Sequence, residues 1–357
     1  MSGPAAIPRR PRAPALRLTL LALVAVALAL AGCGAETEVR QPDLVVSGPA
    51  APATAPPTRR EPARRADAVR LAVVTHGQAS SSFWVVVRNG IDAAARQVDA
   101  AVSYRSPDTY SVDRMRALID AAVASRPDGL VVTIPSTGLA PAIRRAVAAG
   151  IPVVSMNSGS GQFRELGILA HVGQPEDRAG AQAGERLAQA GVRRGLCVNH
   201  ETGNAGLGLR CRAFARAMRR AGGQSIELPI DVQDRERTRQ RLASVIRTRR
   251  IDGVLTLNTD GAAAALDAID GLPASRRPKV GTFDLSPDAL EAVRTGRIEF
   301  AVDQQAYLQG YLPIMLLTQR VRFGLFASEG RVIPTGPSFV TKETAGQVIS
   351  LSNRGIR

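Results

Sequence analysis

The chain has 357 residues, 45% of them hydrophobic, which is enough material for two ordinary lobes that each bury a core. Its formal charge of +15 raises the question of nucleic acid, but Arg9, Arg10, Arg12 and Arg17 precede an apolar segment that would carry them away, and the remaining excess is spread thinly. No basic helix with interleaved aromatics is present, so no nucleic-acid partner is expected.

The apolar run Leu18 to Ala31, about 14 residues, is too short to span a bilayer comfortably and reads as the core of a signal peptide over residues 1–32. It closes on Leu30, Ala31, Gly32 and Cys33, which resembles the bacterial lipobox and makes Cys33 the lipidated first residue of the mature chain. Two acyl chains, at about 0.8 kcal/mol per buried methylene, would hold the protein to the extracytoplasmic side of the cell membrane. Residues 33–68 turn to Pro, Ala, Thr and charge without a hydrophobic period, as suits a flexible tether.

From Val69 the sequence alternates short β-branched runs with Ala-rich runs of helical length, the pattern of parallel sheets flanked by helices. Strands are expected at Arg70 to Thr75, Ala101 to Arg105, Gly129 to Thr133, Pro152 to Met156 and Ile168 to Val172. Five more are expected at Gly195 to Asn199, Ser225 to Leu228, Gly253 to Leu257, Lys279 to Phe283 and Phe300 to Asp303. Helices such as Phe83 to Val98, Glu176 to Ala190 and Gly208 to Ala221 lie between them. Ten strands are many for one sheet, so an α/β chain with two doubly wound parallel-sheet lobes fits better.

In such sheets ligands bind beyond the carboxyl ends of the strands. Phe83 and Trp84 stand after the first strand in a chain with only 4% aromatic residues, where their faces would suit the C–H faces of a sugar. Later strand ends carry Asn157, Asn199, Asn258, Asp284 and Gln304, types that also cap helices and make turns. Together they favour binding polyols over catalysis.

Residues from Leu71 to about Val340 resemble the type I periplasmic binding proteins of sugar ABC transporters, particularly the ribose-like group. The likeness is carried by the stretch from Phe83 to Gly90, by Arg126-Pro127-Asp128-Gly129, by Ala149-Gly150-Ile151-Pro152, by His171-Val172-Gly173-Gln174, and by Leu196 to Asn204 followed by Arg210 to Phe214. The resemblance implies that Phe83 and Trp84 stack on the ligand, that Asn157 occupies the place of a carboxylate, and that Arg210 reaches into the cleft. It further implies that Asn258, Asp284 and Gln304 hydrogen-bond hydroxyls. The family's charged pair after the fourth strand is Asn157-Ser158 here, and Ile230 to Gln233 lacks a second-lobe aromatic, so ribose itself is not implied. The lobes follow from the same likeness: residues 69–171 with 304–331, and residues 172–303 with 332–345, joined by three crossings, with a tail over 346–357.

Cys197 and Cys211 fall at similar depth, roughly 7 Å and 9 Å from the end of their strand and the start of the next helix, so either a disulfide or two buried thiols is open, with a disulfide expected. Gly203, Gly206 and Gly208 run in the wrong order for a dinucleotide fingerprint, and His76, His171 and His200 are dispersed, so no cofactor, metal or enzymatic activity is expected. The function expected is that of a monomeric solute-binding lipoprotein that captures a small sugar or sugar-like polyol for an ABC importer permease. A nucleoside-binding lipoprotein and a ligand receptor for a sensor kinase are the alternatives. A sugar-responsive transcription regulator would need an N-terminal helix-turn-helix where a signal peptide stands.

Overall fold

A computed structural model describes residues 68–78 and 81–357; Cys33, the signal segment and nearly all of the tether lie outside the described residues. The first sheet contains β1 (Val69–Val74), β2 (Ala100–Arg105), β3 (Gly129–Val132), β4 (Val153–Met156), β5 (Ala170–Gly173) and β11 (Arg331–Pro334). Their order is β11-β5-β4-β3-β1-β2, and every pairing is parallel. The second contains β6 (Arg194–Asn199), β7 (Gln224–Pro229), β8 (Gly253–Thr256), β9 (Lys279–Phe283), β10 (Phe300–Asp303) and β12 (Ser338–Val340). It runs β12-β10-β9-β8-β6-β7, parallel except for the antiparallel edge β10–β12.

Helices cover both faces of each sheet, which is why the strands read as near-continuous apolar runs rather than as alternation. In β1, Leu71 and Val73 pack beneath α1 (Ser82–Gln97) and α9 (Ala306–Phe323), whereas Ala72 and Val74 face the cluster under α2 (Val112–Ala124) and α3 (Ala140–Ala148). The second sheet repeats the scheme. Leu196 and Val198 join one cluster with α6 (Arg235–Thr248), α7 (Thr259–Ile269) and α8 (Pro287–Arg294), while Cys197 joins the other, with α4 (Glu176–Gln189) and α5 (Ala205–Arg220).

The expected α/β class and two lobes stand, with three changes of detail. The strand Ile168 to Val172 is β5, which continues through Gly173 because β11 pairs with it from Arg331↔Ala170 to Pro334↔Gly173. The first and third crossings therefore fall at Gln174–Pro175 and Thr335–Pro337, later than His171 and Arg331. Strands β11 and β12 are additional; at four and three residues they are too short for a sequence period. The residues expected as a tail over 346–357 instead continue α10 (Lys342–Asn353), whose Ala345 and Val348 are spaced to bury one face against the second lobe. Arg357 then pairs with Asp303, and Asn89 of the first lobe donates to the Gly355 carbonyl at 3.0 Å. No described helix is long and apolar enough to cross a membrane.

Candidate functional site

Between the lobes, at the carboxyl ends of both sheets, lies a cavity of about 330 Å³. All seven residues expected to bind ligand line it: Phe83, Trp84, Asn157, Arg210, Asn258, Asp284 and Gln304. The chain reaches three of these strand ends in the left-handed region, with φ of +61° at Asn157, +69° at Asp284 and +55° at Gln305. Asn and Asp tolerate this conformation better than most residues, and it turns the backbone sharply toward the cleft.

Phe83 and Trp84 open α1. Their rings meet edge to face, centroids 5.1 Å apart, and His76 meets Trp84 the same way at 5.0 Å. Both aromatics belong to the apolar cluster of the first lobe and also face the cavity, so packing fixes rings that remain available for stacking.

Arg210 is held from behind. Its Nε and Nη2 donate to the two carboxylate oxygens of Glu176, the second at 2.8 Å, and Nη2 also donates to Gln304 Oε1 at 2.8 Å. Its guanidinium lies 4.5 Å from the centre of the Phe283 ring. The pairing depends on close contact of α4 with α5: a Cβ at Gly180 would stand 2.3 Å from the Arg210 carbonyl oxygen, so only glycine lets the helices approach there. Glu176 sits one turn earlier, in the first turn of α4, where the helix dipole also favours a carboxylate.

The remaining groups form a connected polar shell. Gln304 donates through Nε2 to Asp284. Burial pushes the Asp284 carboxyl up to about 7, against the opposing pull of Arg210 and of the Gln304 amide. Asn157 Nδ2 donates to Gln309 Oε1 at 3.0 Å and its Oδ1 accepts from Ser158 Oγ at 3.2 Å, so this amide is already committed to the hinge. Gln309 in turn donates to the Gln304 carbonyl and to Thr335 Oγ1, both at 3.1 Å, tying together two of the crossings. Asn258 Oδ1 caps α7 through the Gly261 N–H at 2.9 Å, and among the described residues no group takes up its NH₂.

Sequence reasoning missed four contributors. Glu176 gives no signal of its own, since an acid in a first helical turn is ordinary. Glu201, Asn204 and Tyr110 sit on loops whose approach to the cavity only the fold decides. Glu201 faces His76 Nε2 at 3.5 Å across the cleft, and Asn204 Nδ2 donates to Glu201 at 2.7 Å. Burial would raise the Glu201 carboxyl, but His76, His200 and the Asn204 amide outweigh it and hold it at about 2. Tyr110 is pushed the other way, to about 12, by burial and by the Glu201 charge. The dispersed histidines separate: His76 and His200 line the cavity, while His171 is buried on β5 with Nδ1 3.0 Å from Ser155 Oγ. No group of His, Cys, Asp or Glu among the described residues could hold a metal ion. Cys197 and Cys211 are joined as a disulfide between β6 and α5.

Comparison with known proteins places these features in context. A carbohydrate transporter protein from Acidothermus cellulolyticus, solved in complex with myo-inositol, is 33% identical; the match covers 81% of this chain and all of that one, with a TM-score of 0.76. A periplasmic sugar-binding protein from Legionella pneumophila, 23% identical over 75% of this chain and 99% of its own, shares the fold with a TM-score of 0.69. The xylose/arabinose-binding protein XylF of Sulfolobus acidocaldarius is 23% identical over 301 residues, 73% of this chain and 68% of XylF. The model of the periplasmic binding protein domain matches residues 71–324, and with the two-lobed fold and interlobe cleft this establishes that the chain belongs to the periplasmic binding protein family.

Proposed function

We propose that the protein captures a neutral cyclic polyol or small sugar between its lobes and delivers it to an ABC importer. The observation that carries this reading is the pairing of an aromatic wall, Phe83 and Trp84, with a wall of planar donors and acceptors, Arg210, Asp284, Gln304 and Asn258, in one small cavity. A polyol ring has apolar C–H faces and a rim of hydroxyls that each donate and accept, so it needs both walls at once. The myo-inositol bound by the Acidothermus relative makes inositols the first ligands to try. In the same reading Cys33 carries the lipid that keeps the protein outside the membrane, beside its permease.

Calorimetric titration of the purified chain with inositols, pentoses, hexoses and nucleosides tests the ligand class. Saturable binding of a polyol is expected, with a rise in melting temperature because ligand binds only the folded state. Silence toward every polyol with a nucleoside hit would replace this reading by the nucleoside one. Incorporation of a labelled fatty acid by the wild type, lost in Cys33→Ala, tests the anchor; labelling that persists in the variant excludes Cys33.

A further inference from the structure

Among the described residues lining the cavity Arg210 is the one permanent cation, and its charge is already matched. Glu176 engages Nε and Nη2, and both members of the pair are only 3% exposed. Among the described residues no group accepts from Nη1, which leaves that part of the guanidinium for a ligand. The other basic groups bring little further positive charge. His76 faces Glu201 at 3.5 Å, and burial shifts His200 toward its neutral form. Against them the lining carries Asp231 and Asp260, besides Glu201, which His76 faces, and Asp284, which burial shifts toward its neutral form.

A ligand entering this cleft therefore meets donors without a net positive field. A neutral polyol needs nothing more, because each hydroxyl is satisfied by one donor and one acceptor. An anionic analogue loses its hydration on entry and finds no unpaired cation among the described lining residues to offset that loss, while the carboxylates of Asp231 and Asp260 repel it.

We infer that Glu176 is a specificity-determining positioning residue: by cancelling the Arg210 charge while leaving Nη1 free to donate, it makes the cleft select neutral polyols over uronates and sugar phosphates. The inference rests on the polyol reading above and assigns its charge selectivity to a residue behind the binding surface rather than on it.

The test uses ligand pairs that differ in charge: galactose with galacturonate, glucose with glucuronate, and myo-inositol with an inositol monophosphate. Each is titrated into the wild type, E176D and E176Q. In the wild type the charged member of any pair that binds is expected to be at least about 100-fold weaker, since like-charge juxtaposition costs several kcal/mol and each 1.4 kcal/mol is tenfold. E176D keeps the charge and should keep that ratio. E176Q uncovers the guanidinium and should narrow it by at least about tenfold, the charged member gaining affinity.

A wild type that binds the uronate as tightly as its neutral parent overturns the inference, as does an E176Q variant that loses affinity for both members in proportion. Should E176Q fail to fold, the double variant E176Q/R210Q replaces the pair by two amides. It is expected to bind the neutral ligand about 100-fold more weakly with no gain for the anion, and undiminished neutral affinity there overturns the inference. Silence of the wild type toward every ligand, neutral and charged, is a different result: it removes the polyol reading and the inference with it.

Discussion

The first lobe faces the cleft with rings and an amide, Phe83, Trp84, Tyr110, His76 and Asn157, whereas the second brings the guanidinium of Arg210 and the carboxyl groups of Glu201, Asp231, Asp260 and Asp284. Neither wall alone matches a polyol. Stacking tolerates rotation of the ring in its plane, and a hydrogen-bonding wall fixes that rotation, so in the proposed function affinity and discrimination are divided between the lobes. The bonds from Asn157 through Gln309 to Gln304 and Thr335 link two of the crossings to residues that line the cavity.

The largest effect is expected from breaking the second wall. Arg210→Ala should weaken ligand binding by about 100-fold or more, because truncating one partner of a buried charge pair costs several kcal/mol. It also leaves Glu176 uncompensated, so thermal melting should fall in parallel; a variant with unchanged affinity by calorimetry removes Arg210 from the site.

Next come two pH effects of opposite sign, one in each lobe. Burial lowers His171 from 6.5 to about 4. Its contribution to stability is present above the unfolded value and is lost as pH falls from about 6.5 through about 4, roughly 3 kcal/mol over that window. Asp284, raised from 3.8 to about 7, behaves inversely: its contribution is full below about 3.8 and is lost as pH rises through about 7. Denaturant titrations of the ligand-free protein should therefore show His171→Gln flattening the acid side of the stability profile and Asp284→Asn raising the neutral side. A profile unmoved by either substitution contradicts both assignments.

The disulfide comes next. Cys197 and Cys211 are 14 residues apart, and closing a loop of that size removes about 3 kcal/mol of unfolded-state entropy. Cys211 neighbours Arg210, so the bond ties the charged wall to its sheet, with no counterpart in the first lobe. Reduction should lower the denaturation midpoint and expose two alkylatable thiols by intact mass; two such thiols without reductant would mean the bond is absent.

What the sequence revealed of this site follows its physics. The cleft residues Phe83, Asn157, Asn258, Asp284 and Gln304 were legible because each follows a strand whose apolar run can be read, and in a parallel sheet the carboxyl ends converge on one face. Glu176 was not, because its partner lies 34 residues away and the contact depends on the helix approach that Gly180 permits. Glu201 and His76 are likewise partners only across the cleft. Strands β11 and β12 and the course of α10 were hidden for another reason: their four, three and twelve residues bury too few side chains to impose a period, and pairing with β5 and β10 sets them.

The smallest effect separates the two walls most cleanly. Trp84→Ala removes one stacking face but no charge and no hydrogen bond to the polar shell, and its helix is held independently by Val87 and Ile91, which stay in the core. Affinity for a neutral polyol should fall about tenfold, near the upper end of what a stacked aromatic contributes beyond its buried area. The ratio between neutral and anionic ligands should not move, because that ratio belongs to Glu176 and Arg210 on the opposite wall. A Trp84→Ala variant that changes selectivity as well as affinity, measured on the same ligand pairs, would mean that the first lobe also orients the guanidinium and that the two walls do not act separately.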